Sequence, residues 1–168
     1  GEESASTSVD STLFGSQSLH IGAHVGLGLP NAFFDGLLDE FKIWDKPLNP
    51  EQVLSEYEIT KRPSPILHYA FEDDFLDTGA NGIDSYASDG GSFTEGVRGQ
   101  ALSFDGITNG LTTPYAHALS PDTFTLGFWI NTSPSSGTSG MVLGKTSSRY
   151  WNDGYGFYYK DGKLFFFI

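Results

Sequence analysis

Apolar and polar positions alternate in short runs along the 168-residue chain. "SLHIGAHVGLG" (18–28) sets Leu19, Ile21 and Ala23 against Ser18, His20 and Gly22, which predicts a strand with one buried face. "NAFFDG" ends in the turn dipeptide Asp-Gly. After it, "LLDEFKIW" (37–44) alternates Leu37, Asp39, Phe41 and Ile43 with Leu38, Glu40, Lys42 and Trp44. The first set is predicted to face the core, which places the Asp39 carboxylate at the strand's inward start. "DKPLNPEQVLSEYE" then offers Asn49 as an N-cap, Pro50 at the first helical position and Glu51 in the first turn, so one short helix follows. "TKRPSP" (60–65) has two prolines, two charges and nothing to bury, and reads as a linker. Beyond it come "ILHYAFE", the acidic Gly-rich loop "DDFLDTGANGIDS", "GQALSFDG", "GLTTPY" and "DTFTLGFWINT", the last with Phe124, Leu126, Phe128 and Ile130 on one face. "GMVLGKT", "YGFYYKDG" and "KLFFFI" complete the series, with "KDGK" as a hairpin turn. Eight or nine closely spaced strands predict an antiparallel two-sheet sandwich.

Composition agrees. With 14 Phe, 8 Tyr, 21 Gly and 8 Pro, the chain is rich in residues that favour pleated surfaces and turns, so the class is all-β. A net charge of −12 repels nucleic acid and anionic membranes and suits a surface that holds cations. There is no Cys, hence no disulfide to indicate a compartment. No apolar run spans a bilayer and no signal peptide is visible, as expected of a mature or excised chain.

Several stretches together resemble the laminin G-like, concanavalin A-like jelly-roll domains. They are "YAFE…D-x-G-x-x-G" (69–82), "G-x-A-L-x-F-D-G" (Gly99–Gly106), "F-T-L-x-F-W-I" (Phe124–Ile130), "V-L-x-K" (Val142–Lys145), "G-Y-G-F" (154–157) and "D-G-K-L" (161–164). Two more, "L-x-I-G" (Leu19–Gly22) and "F-D-G-x-L-D-E-x-x-I-W" with a short helix (Phe34–Glu56), close such domains yet stand first here. The resemblance implies a jelly-roll sandwich with its halves in permuted order: 1–60 as the family's second half, 61–65 as linker and 66–168 as its first half. A family segment between "KLFFFI" and "L-x-I-G" is not found; it would fall where this chain ends and begins. Three organisations account for this: one circularly permuted domain, parts of two tandem repeats, or a gap filled in trans by strand exchange with a neighbouring copy.

Two loops are candidate sites. Asp73, Asp74, Asp77, Asn81 and Asp84 supply hard oxygen donors of the kind Ca²⁺ prefers, although the spacing is not that of an EF-hand and a solvated acidic loop is the plain alternative. The resemblance implies a structural Ca²⁺ between the opening strand and the "D-E" strand, which nominates Asp39 with its own carbonyl and a carboxylate near Asp73 or Asp77. The second loop, "SSRYWNDGYGFYY", sets Arg149, Tyr150, Trp151, Asn152, Asp153 and Tyr155 together, flat aromatic faces beside planar hydrogen-bonding groups suited to a sugar ring. The alternative is that these aromatics cover the end of the sandwich. Trp44 and Trp129 lie in regular strands, where packing or sheet cover is expected. His20 and His24 sit four apart, but the two internal glycines and strand alternation of "LHIGAHVG" make a helical two-His metal face not credible, and His68 and His117 receive no role.

No paired-Glu glycosidase run, nucleophile elbow or phosphate-binding loop appears, so no enzyme is expected. The expected function is a non-catalytic, extracellular or cell-surface module for carbohydrate or ligand binding and adhesion, with structural calcium. The alternative is a structural repeat or filament subunit that exchanges strands with its neighbours.

Overall fold

The computed structural model describes residues 18–26, 29–57, 64–87, 90–132, 139–146 and 153–168. Short alternating runs do form strands, and they assemble into a sandwich of two antiparallel sheets with, among the described residues, one α-helix and a single turn of 3-10 helix (His117–Leu119). One sheet holds six strands. Its central member, β1 (His20–Ile21), pairs with β11 (Ser139–Lys145) on one side and β9 (Leu111–Thr112) on the other. Beyond β9 lies β6 (Tyr86–Ala87). Beyond β11 lie β12 (Tyr155–Lys160) and then β13 (Lys163–Phe167) at the edge. A small hairpin, β2 (His24–Gly26) with β3 (Leu29–Asn31), leads out of β1.

The second sheet is organised by its longest strand, β4 (Asp35–Trp44). Along one side β4 pairs with β10 (Thr125–Thr132). Along the other it pairs first with β8 (Gln100–Asp105), which carries β7 (Ser92–Glu95) outside it, and then with β5 (Leu67–Tyr69). The pairing of Ile43 with Leu67 sets the 66–71 stretch beside the end of β4. The two sheets enclose one core. Leu19, Ile21, Phe34, Leu38, Phe41 and Ile43 from the first third of the chain meet Leu67, Tyr69, Leu102, Phe104, Val142 and Leu143 from the rest.

The expected facing of β4 needs one correction. Three residues of β4, from Lys42 back to Asp39, span the same distance as two residues of β10, from Gly127 to Trp129. The extra residue forms a bulge at Glu40, whose φ of 51° is left-handed. Phase therefore slips within the strand. Leu38, not Leu37, points inward before the bulge, while Phe41 and Ile43 point inward after it. Asp39 lies on the opposite face from the core, across from Trp129.

Capping chemistry sets the helix α1 (Pro50–Tyr57) where expected. Asn49 Oδ1 accepts the Gln52 N–H at 2.8 Å, and Gln52 Oε1 accepts the Asn49 N–H at 2.9 Å, a reciprocal cap. The helix lies against β4 through Lys42, whose Nζ is 3.1 Å from Glu56 Oε2. At the "KDGK" turn Asp161 and Gly162 have φ of 50° and 75°, the pair of left-handed residues a two-residue hairpin turn requires. Gly22 (φ 78°) is equally constrained, because a Cβ there would strike the Phe104 ring.

Candidate functional site

Cross-strand register places a row of side chains on the outward face of the second sheet. Trp129 pairs with Asp39, and two residues along Asn131 pairs with Leu37. With a period of two, all four side chains share one face, opposite Phe128, Ile130 and Leu38. On the next strand Leu37 pairs with Ser103, which sets Ala101 on this face too. The Gly96–Gly99 turn between β7 and β8, closed by the Gly96 N–H on Gly99 O at 3.0 Å, overhangs the row. Leu37, Asp39, Glu95, Val97, Trp129 and Asn131 line a shallow cavity of about 210 Å³.

The chemistry of this groove centres on Asp39. One oxygen, Oδ2, accepts the N–H groups of Val97 at 2.8 Å and Arg98 at 3.2 Å. The other, Oδ1, is buried and has no hydrogen-bond partner. The residue is only 2% exposed, and that burial, outweighing the backbone N–H groups around the carboxyl, raises its pKa above the usual range. A buried acceptor left unmade costs on the order of 1–3 kcal/mol, more when charged, so a donor admitted to Oδ1 by a small shift of the lining side chains would be favoured. Directly opposite, Trp129 stands 42% exposed, the largest flat surface in the groove. Asn131 and Glu95 are exposed beside it. The 45–49 segment meets the neighbouring part of the face through Leu48 N–H on Thr125 Oγ1 at 3.1 Å.

Trp129 was legible as an outward residue, since Phe128 and Ile130 flank it on the inward face. What alternation did not reveal was that Asp39 would share its face, because the bulge at Glu40 lies between Asp39 and the Phe41–Ile43 pattern used to assign it.

A second cluster lies just past the bulge. Glu40 Oε2 meets Lys42 Nζ at 2.9 Å and His68 Nε2 at 3.1 Å, and His68 Nδ1 is 2.8 Å from Thr78 Oγ1. The His68 hydrogen bond, then Lys42, hold the Glu40 carboxyl down to about 2 against the opposing effect of burial. His68 thus does have partners, although nothing in its sequence surroundings marks it. Here the cluster ties β4, β5 and α1 together.

The acidic loop is held by its own carboxylates. Asp77 Oδ1 accepts the N–H groups of His68 (2.9 Å) and Gly79 (2.7 Å), and Oδ2 accepts that of Ile83 (2.7 Å). Asp84 Oδ1 accepts the Asp77 N–H at 2.9 Å, and Asp73 Oδ2 accepts Gln100 Nε2 at 2.8 Å. Asp74 Oδ1 accepts the Leu76 N–H at 3.1 Å. Asp39 is engaged elsewhere, by the Gly96–Gly99 turn. Among the described residues, no three His, Asp or Glu side chains stand together as a group that could hold a metal ion.

Of the aromatic loop, Arg149, Tyr150, Trp151 and Asn152 lie outside the described residues. Asp153 accepts a hydrogen bond from Thr146 Oγ1. Its charge favours the protonated forms of His24 and Lys145, but burial outweighs it and lowers both. Tyr155 corrects the expectation placed on it. It is fully buried, its hydroxyl donates to Leu119 O at 3.1 Å and its ring packs 4.7 Å from that of Phe124, which leaves no face for a ligand.

Residues 1–54 match the Laminin_G_3 family model, described as the concanavalin A-like lectin/glucanases superfamily. No curated protein and no solved structure matches the chain.

Proposed function

We propose that this concanavalin A-like sandwich is a non-catalytic binding module that takes a sugar ring of an extracellular or cell-surface glycan in the Trp129–Asp39 groove. One observation carries the reading: an exposed indole and a buried, unpartnered carboxylate oxygen occupy one cross-strand pair. A pyranose has an apolar C–H face and a rim of hydroxyls. The face stacks on Trp129, a ring hydroxyl donates to Asp39 Oδ1, and Asn131 and Glu95 offer further partners at the rim. The volume suits a single ring, because about 150 Å³ already admits benzene. The match of residues 1–54 to a lectin-containing superfamily supports the ligand class. No helix among the described residues is long and apolar enough to cross a membrane.

A glycan array probed with the full chain tests this. Trp129→Ala is expected to weaken binding by about 2 kcal/mol, roughly 30-fold, with the fold retained by circular dichroism. Trp151→Ala, tested alongside, separates the groove from the 147–155 loop. Glycan hits that ignore Trp129→Ala and Asn131→Ala would overturn the assignment.

Calcium enters no step of this function. In the acidic loop both Asp77 oxygens accept N–H donors and one oxygen each of Asp84 and Asp73 accepts another, so a calcium ion there would share carboxylates the loop already uses. A second reading, a repeat that exchanges strands with neighbouring copies, is favoured by β13. Among the described residues β13 pairs with β12 alone, and Leu164 and Phe165 on it are 40% and 50% exposed.

A further inference from the structure

We infer that the groove selects sugars free of anionic substituents, a neutral or amino-bearing pyranose over a sulfated or uronic one; this rests on the groove being the sugar site. The charges around the site point one way. Asp39 and Glu95 line it, and among the described residues no lining residue is cationic. The basic residues on the same elements are turned elsewhere. Lys42 lies between Glu40 and Glu56, and Arg98, whose N–H serves Asp39, directs Nη2 toward Glu56 O at 3.5 Å. α1 thus draws both cations off the groove and leaves its carboxylates unneutralised.

The unpartnered oxygen sharpens the choice. Asp39 Oδ1 needs a donor, and a hydroxyl or an ammonium supplies one. A sulfate ester or a uronic carboxylate brings acceptors only, with a negative charge, into a site where two carboxylates already stand. Bringing a further negative charge into a partly desolvated groove beside carboxylates is unfavourable. The chain's net charge of −12 adds a repulsive field that slows the approach of polyanionic glycans.

The test uses the full chain, in EGTA, on an array carrying matched neutral, amino, uronic and sulfated saccharides at low and physiological salt. The expected hits are neutral or amino sugars, each at least tenfold stronger than its sulfated or uronic counterpart and lost in Trp129→Ala. Glu95→Lys, a change at the exposed rim, is expected to raise the anionic counterparts at least threefold. Sulfated or uronic hits of equal or greater strength that vanish in Trp129→Ala would overturn the selectivity and leave the groove standing. Hits that persist in Trp129→Ala, or an array with none, would overturn the groove and the selectivity with it.

Discussion

Glu40 holds a backbone conformation that costs a non-glycine residue about 1–2 kcal/mol, and its side chain repays this by meeting His68 and Lys42. Those partners depress its pKa from 4.5 to about 2, so the folded state binds a proton there less readily than the unfolded chain. The resulting stability is present above about pH 4.5 and is lost as pH falls toward 2. Glu40→Gln is expected to cost about 1.5–3 kcal/mol at neutral pH and to flatten that acid limb, as read from urea melts between pH 2 and 7. Asp39 works in the opposite sense. Its raised pKa means the folded state holds the proton more tightly, so stability declines as pH rises through its ordinary range toward the raised value. Asp39→Asn is expected to remove that decline in the same melts. Neither behaviour was legible in "LDEFKIW", because both depend on a one-residue bulge that a period-two pattern cannot express.

At the scale of the element, the acidic loop and the last strand make contrasting demands. Asp77 supplies acceptors to three backbone N–H groups from β5 and the 79–83 turn, and so serves as the loop's internal tie. Asp77→Ala is expected to lower stability by about 2–3 kcal/mol, equally in calcium and in EGTA; a loss seen in calcium alone would make the residue an ion ligand instead. The β13 strand has no partner on its outer side among the described residues, and Leu164 and Phe165 on it are exposed, the kind of edge on which strand exchange would be built. Phe165→Lys is expected to leave the melt unchanged and to abolish any concentration-dependent mass in sedimentation. A native mass that stays monomeric at every dilution would remove the strand-exchange reading. The helix and the "KDGK" turn were legible, since Asn49, Pro50 and Asp161-Gly162 act through their own backbones. Acidic residues were legible only as a cluster: their spacing holds no record of which oxygens the loop's own N–H groups would claim.

The whole molecule depends on a division of labour between distant parts of the chain. β1 lies at the middle of one sheet and β4 at the middle of the other, and both come from residues 18–57, while the strands that flank them come from residues beyond 64. Expressed apart, 18–57 and 64–168 are each expected to lack a cooperative melt, and equimolar mixing is expected to restore the native tryptophan emission. A cooperative transition in 64–168 alone would show that the central strands are dispensable. The sandwich class was legible because aromatic content, Gly-rich turns and alternation all point to it. Strand order was not, since pairing partners lie too far apart for local pattern to specify. That separation has a consequence during synthesis. Ile21 awaits Leu143, and Trp44 awaits Thr125. At about 5–20 residues per second, the earliest apolar strands leave the ribosome on the order of ten seconds before their neighbours exist. Until those residues follow, Ile21 and Trp44 lack these cross-strand partners, and a holdase that covers the waiting segment is expected to raise the folded yield.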